Sequence, residues 1–227
     1  MLIQQPRIDA KIGFDWDKLP KIQTTIDNKD IPKTEFCFRC ENKDYKKISR
    51  LGNLTKLWAY RVNQDFLEEI SKLNNLEILY INQTTAKKIE SLLKLKKLKS
   101  LSIIGGTKFN KINHIGKMTW LEGLDLENFK QISDLKPLSM LVNLKGLAIE
   151  GNIWTKMKIK SLSPIRNLTN LKYLFLTNLR SEDKSLKPLS NLYKLIILQC
   201  TGRWPKKEYE YLHKKLPELK CDWFDKL

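Results

Sequence analysis

Groups able to move protons, hold metals or attack carbonyl carbons are sparse in this 227-residue chain. Its two histidines are His114 and His213, and neither has a Ser or Cys nucleophile beside it in a recognisable motif. Cys37 and Cys40 form a C-x-x-C, the spacing of half a zinc site or of a redox pair. No second Cys/His pair stands at suitable spacing, and residues three apart on a strand point to opposite faces. The carboxylates Glu122, Asp125, Glu127 and Glu150 are the best oxygen ligands on offer, but carboxylates on an open sheet more often meet lysines or water than a hard cation. Gly105-Gly106 reads as a turn, and no phosphate-cradling glycine pattern appears. The sequence therefore predicts no enzymatic activity, no catalytic residue, no metal and no cofactor.

The elements that position these residues follow from a repeat. Seven sets of five apolar residues recur at the same offsets, from Ile48, Leu51, Leu54, Leu57 and Ala59 to Leu189, Leu192, Leu195, Leu198 and Cys200. All thirty-five positions are filled, with periods of 22, 22, 23, 23, 27 and 24 residues. Such a period means a solenoid, in which each unit buries its apolar face only against its neighbours. Within a unit the last two apolar positions are two apart, as on a strand. The three before them are three apart, which suits a helical or 3-10 turn.

Units such as Leu76-Glu77-Ile78-Leu79-Tyr80-Ile81 and Leu171-Lys172-Tyr173-Leu174-Phe175-Leu176 resemble the leucine-rich repeat family over roughly residues 33–222. Segments 133–144 and 162–171 are most similar to the short internalin-type repeats of bacteria. The resemblance implies an α/β repeat solenoid: a curved stack with a parallel concave sheet and short helical or 3-10 turns on the convex side. It also implies a protein–protein interaction module. For a stand-alone bacterial cytosolic solenoid of this size, the roles that the resemblance leaves open are an antitoxin or immunity-type protein that masks a basic effector and, equally, an adaptor. One departure from the family is visible. Its asparagine, eight residues after the first leucine of the motif, is replaced here by Val62, Thr84, Gly106, Phe129, Leu179 and Arg203, and only Asn152 keeps it.

Outward positions of the motif line the concave face. Trp58 and Tyr80 fall in one column on adjacent strands, about 4.8 Å apart in backbone, with Tyr60 and Ile78 beside them. Tyr173 and Phe175 form a second apolar patch, and Glu122, Asp125, Glu127 and Glu150 lie between the two. Aromatic anchors near acidic groups suit a protein partner with basic residues. The 27-residue unit carries an insertion at 151–160, whose Trp154 joins the candidate site; it and Met157 either meet a partner or fold back over the extra backbone.

Net charge is +17, from 42 basic and 25 acidic residues. The concave positions hold seven basic and eight acidic residues, a balance of −1 that leaves +18 on the turns and convex side. Binding of nucleic acid or an anionic surface by that lysine-rich side is the rival reading. Only 7 of the 42 basic residues are Arg, the residue that base reading favours.

The expected division is an N-terminal capping segment at 1–32, with Phe14, Trp16, Leu19 and Ile22 over the core's end, then repeats at 33–205 starting with a strand near 33–40. A C-terminal cap at 206–227 follows, with a helix at 206–215 and a degenerate last repeat, all as one domain. The start lacks the basic and apolar regions of a secretory signal. No stretch approaches the ~18 apolar residues of a membrane span, and the cysteines suit a reducing compartment. The expectation is a cytoplasmic monomer.

Overall fold

The computed structural model describes residues 19–201 and 204–227. Among the described residues ten strands follow one another: β1 (Glu35–Arg39), β2 (Lys56–Tyr60), β3 (Ile78–Asn82), β4 (Ser100–Ile104), β5 (Gly123–Glu127), β6 (Gly146–Glu150), β7 (Met157–Ile159), β8 (Tyr173–Leu176), β9 (Leu179–Ser181) and β10 (Ile197–Cys200). Eight form one open parallel sheet in the order β1-β2-β3-β4-β5-β6-β8-β10, while β7 and β9 pair as a separate parallel sheet. Parallel neighbours need a crossover, and here each is a turn on the other side of the core. These turns are the 3-10 segments Lys43–Arg50, Glu90–Lys94, Lys136–Met140, Ser163–Asn167 and Lys187–Asn191 and the short helices Gln64–Ile70 and Asn113–Gly116. Pro137, Pro164 and Pro188 open three of them, where the missing N–H and fixed φ of proline cost nothing.

All thirty-five ladder positions are buried, none more than 7 % exposed. They fill the space between the sheet and the turns as one continuous apolar cluster. Each strand must then leave the sheet sharply. Arg61, Gln83, Asn128 and Asn178 do so in the left-handed region, at φ 56°, 58°, 62° and 50°, and Gly105 at 78°. Asparagine and glycine adopt that region most readily. The amides at these corners stay in the ladder, as in Arg61 N–H to Asn82 O and Asn128 N–H to Glu150 O, both 2.8 Å.

Other side chains bridge adjacent units where most of the family's asparagines are missing. Thr84 Oγ1 donates to Val62 O at 2.9 Å and accepts from the Ala86 amide at 3.1 Å, bridging adjacent units. A second set of bridges comes from the residue just before the first leucine of the motif, in units that keep the asparagine as well as in units that lack it. There Asn75, Asn143 and Asn170 donate to Gly52 O, Thr119 O and Val142 O of the preceding unit, and Trp120 Nε1 donates to Leu95 O. Phe129 instead stacks on Phe109 with ring centroids 5.5 Å apart.

At the N-terminal edge Gln23 bridges to Phe38 of β1, and Ile26 is buried; the expected capping residues Phe14 and Trp16 lie outside the described residues. The C-terminal helix Lys206–Lys215 buries Tyr209 and Leu212. The degenerate last repeat contributes one bridge, Ile197 to Lys220, instead of a full strand. Trp223 Nε1 closes this end by donating to Cys200 O at 2.9 Å.

Close approach of consecutive turns depends on Gly116, where an added Cβ would lie 2.3 Å from Pro137 O. A backbone oxygen cannot swing aside. Gly116→Ala is expected to cost about 1–3 kcal/mol, read as a lower urea midpoint. Gly52→Ala, at a site with nothing within 4 Å, is expected to leave the midpoint unchanged or slightly raised.

Candidate functional site

The register fixes which outward residues are neighbours. One column runs Cys37, Trp58, Tyr80, Ser102, Asp125, Ala148, Phe175, Gln199 across the eight strands. A second, at the C-terminal ends of the strands, runs Arg39, Tyr60, Asn82, Ile104, Glu127, Glu150. Trp58 and Tyr80 are therefore adjacent, as their spacing predicts.

They are not an open patch. Trp58 is 2 % and Tyr80 3 % exposed, and Ile78, Asp125 and Phe175 are also buried. Cys37, Trp58, Ile78 and Tyr80 form an apolar cluster of their own on the face opposite the main core, with Leu19, Tyr60 and Ile104 packed against it. Ala148 and Phe175 form another, with Tyr173 against it. Large side chains on strands less than 5 Å apart cover one another. Tyr60 and Tyr80 meet edge to face at 6.0 Å between centroids, and Asn82 Nδ2 donates to the Tyr80 hydroxyl at 2.8 Å. Outward apolar residues that remain accessible are Tyr60, Ile104, Tyr173 and Ile197, each half-buried, and Ile196, which is exposed.

The four acidic residues likewise do not act as one group. Glu122 belongs to a row just before the strands, Glu77, Lys99, Glu122 and Lys145, in which carboxylates alternate with lysines and Glu77–Lys99 and Glu122–Lys145 each lie at 2.7 Å; Glu35–Lys56, also 2.7 Å, is one position further on, in the row of Ile78. The Glu77 carboxylate hydrogen-bonded to Lys99 raises that ammonium's pKa. Asp125 is buried and accepts from Ser102 Oγ at 2.8 Å. Glu127 and Glu150 are register partners and half-exposed, and Glu150 also accepts from the Thr177 hydroxyl.

The insertion after β6 divides its two candidates. Met157 turns inward on β7 and is buried, whereas Trp154 is 88 % and Ile153 81 % exposed. Sequence reasoning did not single out Ile153 or the β7–β9 sheet. The alternation Met157-Lys158-Ile159 and Leu179-Arg180-Ser181 is the signal that could have revealed the latter.

The groups of reactive type stand apart. His114 Nδ1 is 3.7 Å from Glu90 Oε2, and His213 lies against the Phe224 ring. Cys37 and Cys40 pack on opposite faces of the sheet, one in the outward cluster and the other against the main core. Cys200 and Cys221 lie together in the C-terminal core, with Cys200 Sγ 3.4 Å from the Tyr209 hydroxyl. Among the described residues no group of three or more His, Cys, Asp or Glu is placed to hold a metal ion, and no helix is long and apolar enough to cross a membrane.

The profile of the family described as Leucine-rich repeat region matches residues 33–221. Among solved structures the chain is similar to an internalin C2 of Listeria monocytogenes, at 25 % identity and TM-score 0.53, over 70 % of this chain and 73 % of that one. An internalin F of the same organism is 22 % identical with TM-score 0.55, covering 82 % of this chain but 57 % of the other. The Arabidopsis receptor kinase HAESA, solved in complex with a peptide hormone and a co-receptor, shares the fold at 16 % identity and TM-score 0.59, over 78 % of this chain and 32 % of that chain. No curated protein matches the sequence.

Burial pushes the Cys37 thiol up to about 11, with Arg39 opposing weakly. At pH 8 about one thiol in a thousand is then ionised. In the folded protein Cys37 is expected to resist iodoacetamide at pH 8 and to react only on unfolding, as mass spectrometry of the labelled peptide would record. Rapid labelling of native Cys37 would show that the outward cluster is open.

Proposed function

The chain belongs to the leucine-rich repeat family, and from that premise we propose that it is a non-enzymatic binding module whose concave sheet takes a protein partner rich in basic residues. The observation that carries this is the pair Glu127 and Glu150. They sit side by side at the strand ends of β5 and β6, half-exposed, on a chain of net charge +17. Negative charge concentrated on an otherwise basic surface attracts Lys or Arg and speeds encounter with it. Tyr60 and Ile104 along the same column, and Tyr173 at the start of β8 opposite Gly146, supply half-buried apolar surface on the same face. Trp58, Ile78, Tyr80 and Phe175 act beneath this surface, holding Tyr60 and Tyr173 in place. Asp125 helps set the strand positions through Ser102, and Glu122 stays with Lys145.

A HAESA structure holding a peptide hormone is a precedent at the level of fold alone. The four free cysteines fit a cytoplasmic location, and the proposed module is a monomer of the immunity or adaptor type. Those two roles differ only in which partner is bound, so one experiment addresses both.

A photo-crosslinking residue at Tyr60 or Tyr173 is expected to capture the partner, and one at Lys94 on the convex side is not. With the captured partner, Glu127→Gln combined with Glu150→Gln is expected to slow association about tenfold at low salt and to flatten its salt dependence. Equal capture from Lys94, or an association rate that responds to salt as before, overturns the reading.

A further inference from the structure

The insertion between β6 and β7 presents a surface that the concave reading does not use. Among the described residues, Trp154 and Ile153 are the two most exposed large apolar side chains, and they are adjacent. Their exposure is built in, because the loop carrying them is clamped at its base. Asn152 Oδ1 accepts from the amides of Trp154 at 3.0 Å and Thr155 at 2.6 Å. Asn178 Nδ2 donates to Asn152 O at 3.0 Å, and the Gly151 amide donates to Thr177 O at 3.0 Å. Gly151 is required there, since a Cβ would lie 2.5 Å from both Asn178 O and Thr155 O.

The chain runs from this tip directly into β7, whose outward residues are cationic. Lys156, Lys158 and Lys160 are exposed, and Arg180 of β9 is the register partner of Lys158. Among the described residues none of these four forms an ion pair. Glu182, at the end of β9, is the acidic residue nearest in sequence to Arg180.

Three kinds of partner could meet an apolar tip ringed by lysines. Protein interface cores enrich Trp but deplete Lys. Single-stranded nucleic acid is held in grooves with successive aromatic rings, whereas this tip has one ring, an aliphatic neighbour and no groove. At a bilayer surface each residue has a place: the indole at headgroup level, the isoleucine at the acyl boundary, and the lysines reaching to lipid phosphates. We propose that the chain docks reversibly on anionic lipid bilayers, inserting Ile153 and Trp154 while Lys156, Lys158, Lys160 and Arg180 bind headgroups. The concave face is left open to its own partner, and the two readings stand independently.

The test is co-sedimentation with phosphatidylcholine vesicles, with and without ~30 mol% phosphatidylserine, at physiological salt. The full chain is expected to partition into the phosphatidylserine vesicles at least about tenfold better than into phosphatidylcholine alone. Ile153→Ser with Trp154→Ser, and separately Lys158→Gln with Arg180→Gln, each lower that partition about tenfold without moving the melting temperature, because all four side chains are exposed. Brominated lipid quenches part of the tryptophan emission of the parent protein, and that part disappears in Trp154→Phe. Equal partition into both vesicle types, or variants that sediment like the parent, overturns the proposal. So does an RNA oligonucleotide that displaces the protein from vesicles and loses its own binding in the Trp154 variant, since the surface would then be a nucleic-acid site.

Discussion

Parallel strands stacked in register about 4.8 Å apart impose the constraint on which the rest of the structure depends. Once Leu57, Leu79, Leu101, Leu124, Leu147, Leu174 and Leu198 are aligned in one inward column, every outward residue is assigned a column as well. Nothing in a neighbouring unit can shift without shifting the apolar ladder behind it. The left-handed corners at Arg61, Gln83, Asn128 and Asn178 preserve this register by ending four strands at the same position of the unit. A side chain's function is then largely a matter of which column it occupies and how large its neighbours are.

That dependence explains what was legible in the sequence. The inward ladder, the strand at β1 and the helix Lys206–Lys215 could be read from spacing alone, because burial on the core side follows directly from periodicity. Period also told which residues face the other way. It could not tell whether they would be exposed, since that depends on side-chain size in adjacent columns and on chain packed from outside the repeat. Trp58 and Trp154 make the contrast. Trp58 lies among Cys37, Ile78 and Tyr80 and is covered. Trp154 sits on a loop whose extra length takes it beyond any column. The Asn152 turn that displays it is a local hydrogen-bonding pattern that periodicity does not register.

Charge is ordered by the same columns. At the start of the strands Glu77, Lys99, Glu122 and Lys145 alternate in one row and Glu35 pairs with Lys56 in the next, so these charges offset one another and add little to stability or steering. Glu127 and Glu150 at the other end lie next to each other. The excess lysines are carried on turns and on the β7–β9 flank. A solenoid can in this way carry a near-neutral sheet face on a basic body without disturbing its core.

The claim that decides most is that the central outward column is a second packed layer while the insertion tip is surface. Hydroxyl-radical footprinting of the free protein, read by mass spectrometry, tests it directly. With exposures of 2 % and 88 %, Trp58 should oxidise at least about tenfold more slowly than Trp154, and Tyr80 should be protected along with Trp58. Oxidation of Trp58 at the rate of Trp154 would contradict the account and return the concave face to an open aromatic surface.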